Sequence, residues 1–570
     1  MSGAGIAAPP MKPAPSRVRG APAGQAPAAA STATPTKGAR AATSDGRRGN
    51  RPSPMDPLSD RATLMLIRRV LCPQKLGDKA RDVVPPIEEL LPSLTSRNDV
   101  DLQLYAFLAI IMREFVQSWY NKITPDETFV AEILQIIAHC TRGLEQRFRK
   151  LDVESLLLDE IPDLLDRHVT AQEPVQVNPR EVYHSLCPLP QLSPVPNTED
   201  PASVSLQLEN EAAYRQLLVQ AILAILLPTE DLENPCLTAL VGQIFSELII
   251  GNIIANKAAQ PWLLYESICI AGRVLSEKKT RAAQRIVSSS RQAGQVDVKG
   301  TAKIKWSAQA VFLSLVHLAV LIFSSIRTVI TMLAASSSLP PRSGPSAGDA
   351  AATDASEKRQ QQPEERHPRA TKVPVLAFKF WQCVGNVIEL DFRMPWLSGF
   401  LSLVQYQAIY GPGKVARLNG SIDRLLSHQI QQLLSISHLP PLLRTLRGVL
   451  FPNNNPGKPS LFPPSSEEEL EALRQRAAAS LLALLPSGVR KVYFGRGHPG
   501  AWQLGTGDGG GDEDAHKMRV VDDMKGLLAV LDDEYCNKHL MYSVLELVLV
   551  RLLPELSDKG VVELWEERLG

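Results

Sequence analysis

Charge of one sign is missing from this chain. Its 570 residues carry 61 Lys and Arg against 60 Asp and Glu. That balance argues against a dedicated nucleic-acid binder, which needs a basic surplus to neutralise phosphates. Cysteines are few and scattered: seven, at 72, 140, 187, 236, 269, 383 and 536, with no Cys-x-x-Cys pair. Free thiols in a reducing compartment are expected, and a disulfide or zinc framework is not. The ten histidines show no His-Glu-x-x-His spacing, so no metal centre and no cofactor is expected. His139 and His539 read as satisfied helix residues. The Gly-rich stretch at 505–511 lacks the Gly-Lys-Ser/Thr of a phosphate loop, and Asp508, Asp512 and Asp514 miss the EF-hand register. Asp532, Asp533 and Glu534 are consecutive and, on a helix, point about 100° apart, which bars a paired-carboxylate site. No nucleophile elbow occurs, so no catalytic residue is assigned and the chain is not expected to be an enzyme. Period-two alternation is also absent, which excludes a sheet and leaves an all-α chain.

What is present is helix after helix. From Asn98 to Cys140 the sequence reads as two antiparallel helices. Tyr105, Leu108, Met112, Phe115, Val116 and Trp119 recur at three- and four-residue steps, one face of a 3.6-residue helix. Asn98 and Asp99 are N-cap types. Thr124-Pro-Asp-Glu127 reads as a capping box that restarts the second helix, which buries Phe129, Ile133, Ile136, Ile137 and Cys140.

Composition divides the chain. Residues 1–54 are Ala-, Pro-, Gly- and Ser-rich and are expected to be a disordered tail. Ser2 stands where N-myristoylation needs glycine. A first helical domain is expected over 55–275, and a basic segment plus an apolar helix over 276–335. A disordered linker over 336–372 and a second helical domain over 373–570 complete the chain. In the second domain Ser465 and Ser466 precede Glu468 and Glu469 by three residues, a doubled capping box opening a helix over 467–485.

The middle of the chain points to a membrane. Nine Lys and Arg lie between Arg273 and Lys305, among them Lys278, Lys279, Arg281 and Arg285, against Glu277 and Asp297. Trp306 follows, and then the most apolar stretch of the chain, with Leu313, Val316, Val320 and Phe323. Cations for anionic headgroups, an interfacial Trp and an apolar helix form a logical order at a membrane surface. Its cleanest part, Ala310 to Ile326, is roughly 25 Å long at about 1.5 Å per residue, short of a bilayer core of roughly 30 Å. A crossing helix, an interfacial helix and a core helix all remain open readings.

The motifs carry a resemblance. Phe115-Val-Gln-Ser-Trp119-Tyr120 with Ile-Thr-Pro-Asp after it, then Tyr214-Arg-Gln-Leu-Leu and Ile225-Leu-Leu-Pro228, resemble the PXA (Phox-associated) domain of sorting nexins. Trp396, Phe451-Pro452, Asn537-Lys-His-Leu540 and Leu553-Pro554-Glu-Leu556 resemble the sorting nexin C-terminal domain. That likeness covers roughly 390–557, with 505–514 as an insertion. The PX domain that many relatives carry between the two is not found.

The resemblance implies two domains packed together around an apolar cavity, acting at organelle contacts. The expected function is therefore non-enzymatic binding of membrane lipids, with an acyl lipid held between apolar helices, in trafficking or inter-organelle lipid exchange. The endoplasmic reticulum, endosome and vacuole are the membranes this implies, with a cytoplasmic location as the other possibility. The alternative function is a protein-interaction scaffold for endosomal or vacuolar sorting.

Overall fold

A computed structural model of the chain describes residues 57–72, 86–124, 128–172, 179–197, 199–292, 308–336, 338–342, 372–454, 462–494 and 512–570. The N-terminal tail, Trp306, most of the central linker and the Gly-rich run up to 511 lie outside these residues. Among the described residues there is no strand, only an isolated bridge between Asn197 and Asp200.

The first half begins with α1 (Asp60–Leu71), capped by Ser59, whose hydroxyl accepts from the Ala62 N–H. It packs on α2 (Asn98–Ile111). The cap of α2 differs from expectation. Arg97 occupies the N-cap without a side-chain bond, and Asn98 is already helical. The stabilising group is Asp101, one turn in, whose carboxylate accepts from the Leu94 and Thr95 N–H groups at 3.0 and 2.8 Å. The carboxylate thereby folds the incoming loop over the helix start.

From Met112 to Val116 the backbone of α2 widens to the π register, then continues as Gln117–Ile123. The second helix, α3 (Thr128–Phe148), follows. The Pro125–Glu127 joint lies outside the described residues. Next come α4 (Ile161–Ala171), α5 (Pro179–Leu186) and α6 (Pro201–Leu226). The helix read at 236–254 is α7 (Pro235–Gln243), capped by Asn234, running on in the π register over Ile244–Lys257. Gly251 serves close approach there: a Cβ on it would stand 3.0 Å from Nε of Arg215.

α8 (Pro261–Gln292) leaves the first half and packs along α14 (Glu467–Leu484) of the second. The crossing is close enough that a Cβ on Gly272 would overlap Oγ of Ser480. α14 opens with one of the two expected capping pairs, and Glu469 rather than Glu468 serves Ser465. Ser466 Oγ accepts from the Glu469 N–H, and Glu469 reaches back to the Ser465 N–H and hydroxyl.

The remaining helices are α9 (Ala308–Ser336), α10 (Lys379–Val387), α11 (Pro395–Tyr410), α12 (Ser421–Leu433), α13 (Leu439–Leu450), α15 (Asp512–Leu528), α16 (Glu534–Leu552) and α17 (Val561–Leu569). The acidic end of the stretch read as an insertion, from Asp512 on, thus belongs to helix α15. Asp533 is the N-cap of α16 rather than a helical neighbour of Glu534.

Two multi-helix regions are present, and they share their cores. Tyr535, Cys536 and Tyr542 of α16 sit among Ala171, Tyr183, Leu192, Val219, Leu223 and Ile250 of the first half. Conversely, Tyr265 of α8 sits among Leu473, Ala477, Leu482, Val520 and Met524 of the second.

Candidate membrane and lipid contact surfaces

The C-terminal motifs are the seam between the halves. In α16, Asn537 donates to the Ala259 carbonyl at 3.1 Å and to the Leu531 carbonyl at 2.8 Å. Lys538 stands 3.5 Å from Glu211, which is 1% exposed and also accepts from Arg215 and from the Tyr542 hydroxyl. His539 bonds the Cys187 carbonyl at 2.7 Å, and Leu540 is buried. Four consecutive residues on a helix face every direction, so α16 is enclosed here, with Ala259, Glu211 and Cys187 of the first half supplying three of the partners.

Pro554 is exposed, but it sits between the fully buried Leu553 and Glu555, which pairs with Arg147 at 2.8 Å. Burial pushes the Glu555 carboxyl up, and Arg147 pulls it down further, leaving it below its ordinary value. Phe451 meets Phe107 of α2 edge-on, and Pro452, itself exposed, turns the chain so that Asn454 bonds Arg113 and Pro57. In the first half Tyr120 stacks on Phe129 at 4.4 Å. The side chains of Phe115 and Trp119 lie outside the described ones.

A histidine cluster occupies the same seam. Tyr183 contacts both His168 and His539, at ring centroid distances of 5.3 and 4.2 Å. His184 meets the hydroxyl of Tyr535. Burial pushes the imidazoles of His168 and His539 down to about 4, so both are neutral near pH 7.

A second polar knot escapes the sequence reading. Arg342 falls in the stretch whose composition reads as linker, yet it is 6% exposed. It pairs with Glu154 at 3.0 Å and Asp423 at 2.8 Å, both buried, one from each half. Asn419, at φ 66°, accepts from the Arg342 N–H and donates its own N–H to Asp423. Asparagine tolerates that left-handed conformation better than most residues. No local sequence signal marks Arg342, because its partners lie far away along the chain.

The membrane-directed residues separate from all of this. Lys278, Lys279 and Arg281 are exposed along α8, and only the backbone of Arg285 is described. In α9 every described side chain from Phe312 to Ala334 is exposed, including Val316, Val320 and Phe323; that of Leu313 is outside the described ones. Six of these, Ala319 to Ser324, are consecutive and so cover the whole circumference. They are therefore not core positions of this chain. α9 packs on α12 and ends at the buried Ser336, six residues before Arg342.

Other apolar side chains also face outward: Leu240, Ile244, Phe245, Leu248 and Ile253 over Pro235–Lys257, and Leu442, Leu446 and Leu450 on α13. Among the described residues Pro235–Lys257 is the helix long and apolar enough to cross a membrane. Its other face, Ser246, Ile250, Gly251 and Ala255, is buried, and Glu247 pairs with Arg215. No group of three His, Cys, Asp or Glu among the described residues is placed to hold a metal ion.

Comparison with known proteins places names on these regions. Residues 97–271 match the PXA domain and residues 414–497 the sorting nexin C-terminal domain. An uncharacterized protein of Saccharomyces cerevisiae is 29% identical over 214 residues, 37% of this chain and 38% of that protein. PXA domain protein 1 of Schizosaccharomyces pombe is 25% identical over 198 residues, 33% and 37% of the two chains. Human sorting nexin-13 is 23% identical over 193 residues, 31% and 20% of the two. The match thus spans well under half the length of each relative. No solved structure matches.

Proposed function

We propose that this sorting-nexin-like chain, which joins a PXA domain to a sorting nexin C-terminal domain, binds membrane lipid without catalysis, resting on the bilayer through α8 and α9. Both domains are non-catalytic lipid- and membrane-binding modules. The observation that carries the reading is the uncovered circumference of α9 at 319–324. Ala319 to Phe323 are apolar and exposed around the helix, and such a turn needs an apolar medium against it.

Topology supports one seat for it. At 29 residues α9 is about 43 Å long, so length alone permits a crossing. Yet α8 is packed on α14 before it, and Arg342 is locked to Glu154 and Asp423 after it. Both ends belong to one body, which requires an even number of crossings. Between Lys278 and Ser336 the sequence holds a single long apolar stretch, so no second crossing could bring the chain back. α9 therefore lies within the interface, with Arg327 reaching back toward the headgroups. The same argument holds Pro235–Lys257 out of a crossing role, since Leu232 and Tyr265 on either side are both buried in the body.

From this seat the exposed apolar faces of α7 and α13 receive an acyl chain drawn from the bilayer, each buried CH₂ contributing about 0.8 kcal/mol. Inter-organelle exchange at the endoplasmic reticulum, endosome or vacuole is the role this suits. Native mass spectrometry of the purified chain tests it: a co-purifying lipid mass is expected. A lipid-free chain that extracts no lipid from vesicles would leave the scaffold alternative.

A further inference from the structure

We propose that α11 is a second, independent membrane contact, embedded in the interface alongside α9; this rests on the membrane reading of the chain. Pro395–Tyr410 contains no charged residue. Its side chains from Gly399 to Ser402, Leu403 and Val404 are consecutively exposed, so its middle turns, like those of α9, are uncovered on every side. The body holds it on either side of these turns, through Ser398, which bonds Asp391, and through positions from Gln405 on. Gln405 bonds the Leu376 carbonyl, the Ala408 carbonyl accepts from Ala416, and Ile409 is its one buried residue among the described ones.

Three features select a bilayer as the occupant. First, the exposed Phe400, Leu401, Leu403 and Val404 point in different directions, a broader apolar surface than the single face a protein groove covers. Second, the aromatic side chains with polar atoms stand at the two ends: Trp396, 60% exposed, at the start, and Tyr406 and Tyr410, 59% and 68% exposed, at the finish. Phe400, Leu401, Leu403 and Val404 lie between them. Indole and phenol rings favour the headgroup level, so rings at both ends hold the helix axis parallel to the surface at that depth. Third, exposed Lys414 and Arg417 follow the helix directly, placed for anionic headgroups. The helix is about 24 Å long, short of a crossing, and both of its ends return to the body. α11 thus lies flat.

The test uses the full chain with vesicles of phosphatidylcholine and phosphatidylserine. Phe400→Asp with Val404→Asp alters exposed positions only, so circular dichroism and melting should match the unaltered chain. Vesicle binding is expected to fall about tenfold. Independently, brominated phosphatidylcholine should quench a component of tryptophan fluorescence that Trp396→Phe lacks. This second readout needs no charged variant to fold.

The idea falls if the Asp variant binds as before and Trp396→Phe leaves the quenching unchanged. It also falls if the Asp variant converts a dimer to a monomer by light scattering with vesicle binding intact, which would make the occupant a second copy. Val320→Asp with Phe323→Asp separates the two readings. If that variant loses binding while the α11 variants do not, the membrane reading of α9 stands and α11 is excluded. If it binds normally while the α11 variant does not, α9 fails and α11 stands.

Discussion

The guanidinium of Arg342 donates to the main-chain oxygen of Val373 at 3.0 Å, so the two ends of segment 343–371 lie side by side. A segment that bridges no distance is dispensable for the fold, because loop-closure entropy changes slowly with length. Replacing 344–371 by a short Gly-Ser turn should leave the melting temperature within about 3 °C of the original. A large drop in a thermal melt would show that the segment itself packs on the body.

Arg342 should matter more than any other residue near that loop. Arg342→Met leaves the buried carboxylates of Glu154 and Asp423 without their cation. Breaking a buried pair from one side costs about 3–5 kcal/mol. Urea denaturation should register that loss, and Arg342→Lys should recover only part of it, since a single ammonium cannot repeat the fork to both carboxylates. A loss below about 1 kcal/mol would mean the knot is solvated.

Acid should loosen the seam at α16. His168 and His539 titrate at about 4 in the fold and near 6.5 when unfolded. Their folded values are depressed, so the stability they support is complete above about pH 6.5 and is lost as pH falls toward 4. Each linkage is worth up to about 3 kcal/mol, and the two are coupled, so they do not simply add. Arg180, Arg167, Asp533, Cys187, Cys536, His184 and the neighbouring tyrosines also face this cluster or each other. Melting curves from pH 7 to pH 5 should show a fall that His539→Gln reduces. A flat profile would contradict the burial of these rings.

Salt should separate the two parts of membrane binding by α8 and α9. Changing Lys278, Lys279, Arg281 and Arg285 to Gln should weaken vesicle flotation mainly at low ionic strength and with anionic lipid, at about 1 kcal/mol per charge. Changing Leu313, Val320 and Phe323 to Ser should weaken it at every salt concentration. Because the described side chains of α9 from Phe312 to Ala334 are exposed, the Ser variant should melt as the original does. If it melts lower instead, α9 is held by protein contacts.

Neither half should be stable alone. Residues 57–292 without α16 expose Tyr183, Leu192, Val219 and Ile250, and residues 372–570 without α8 expose Leu473, Leu482 and Met524. Expressed separately they should aggregate, and co-expressed they should co-purify. Two soluble, indifferent fragments in size-exclusion chromatography would overturn the shared core.

Local features were legible because local physics writes them. Ser466 and Glu469 satisfy each other within one turn, and the periodic apolar face of α2 needs no distant information. Phe451-Pro452 and Asn537-Lys-His-Leu540 were readable as motifs, but their purpose, contact with Phe107, Ala259, Glu211 and Cys187, was not. Arg342 was invisible because a charged residue amid Pro, Ser and Gly looks solvated until both of its carboxylates are placed. For α9 the sequence left three readings open. The exposure of its described side chains between Phe312 and Ala334 argues against one, and the attachment of both ends to the body bears on the other two.

The shared core also sets an order of events during synthesis. The Tyr535 hydroxyl donates to the Leu192 carbonyl 343 residues earlier in the chain, so α16 is synthesised well after the helices it covers. Until then the apolar faces of α4, α5 and α6 have no lid. At roughly 5–20 residues per second that interval lasts on the order of tens of seconds. Folding of the N-terminal half therefore waits in its final step for α16, and the nascent chain is a client for chaperones throughout that wait.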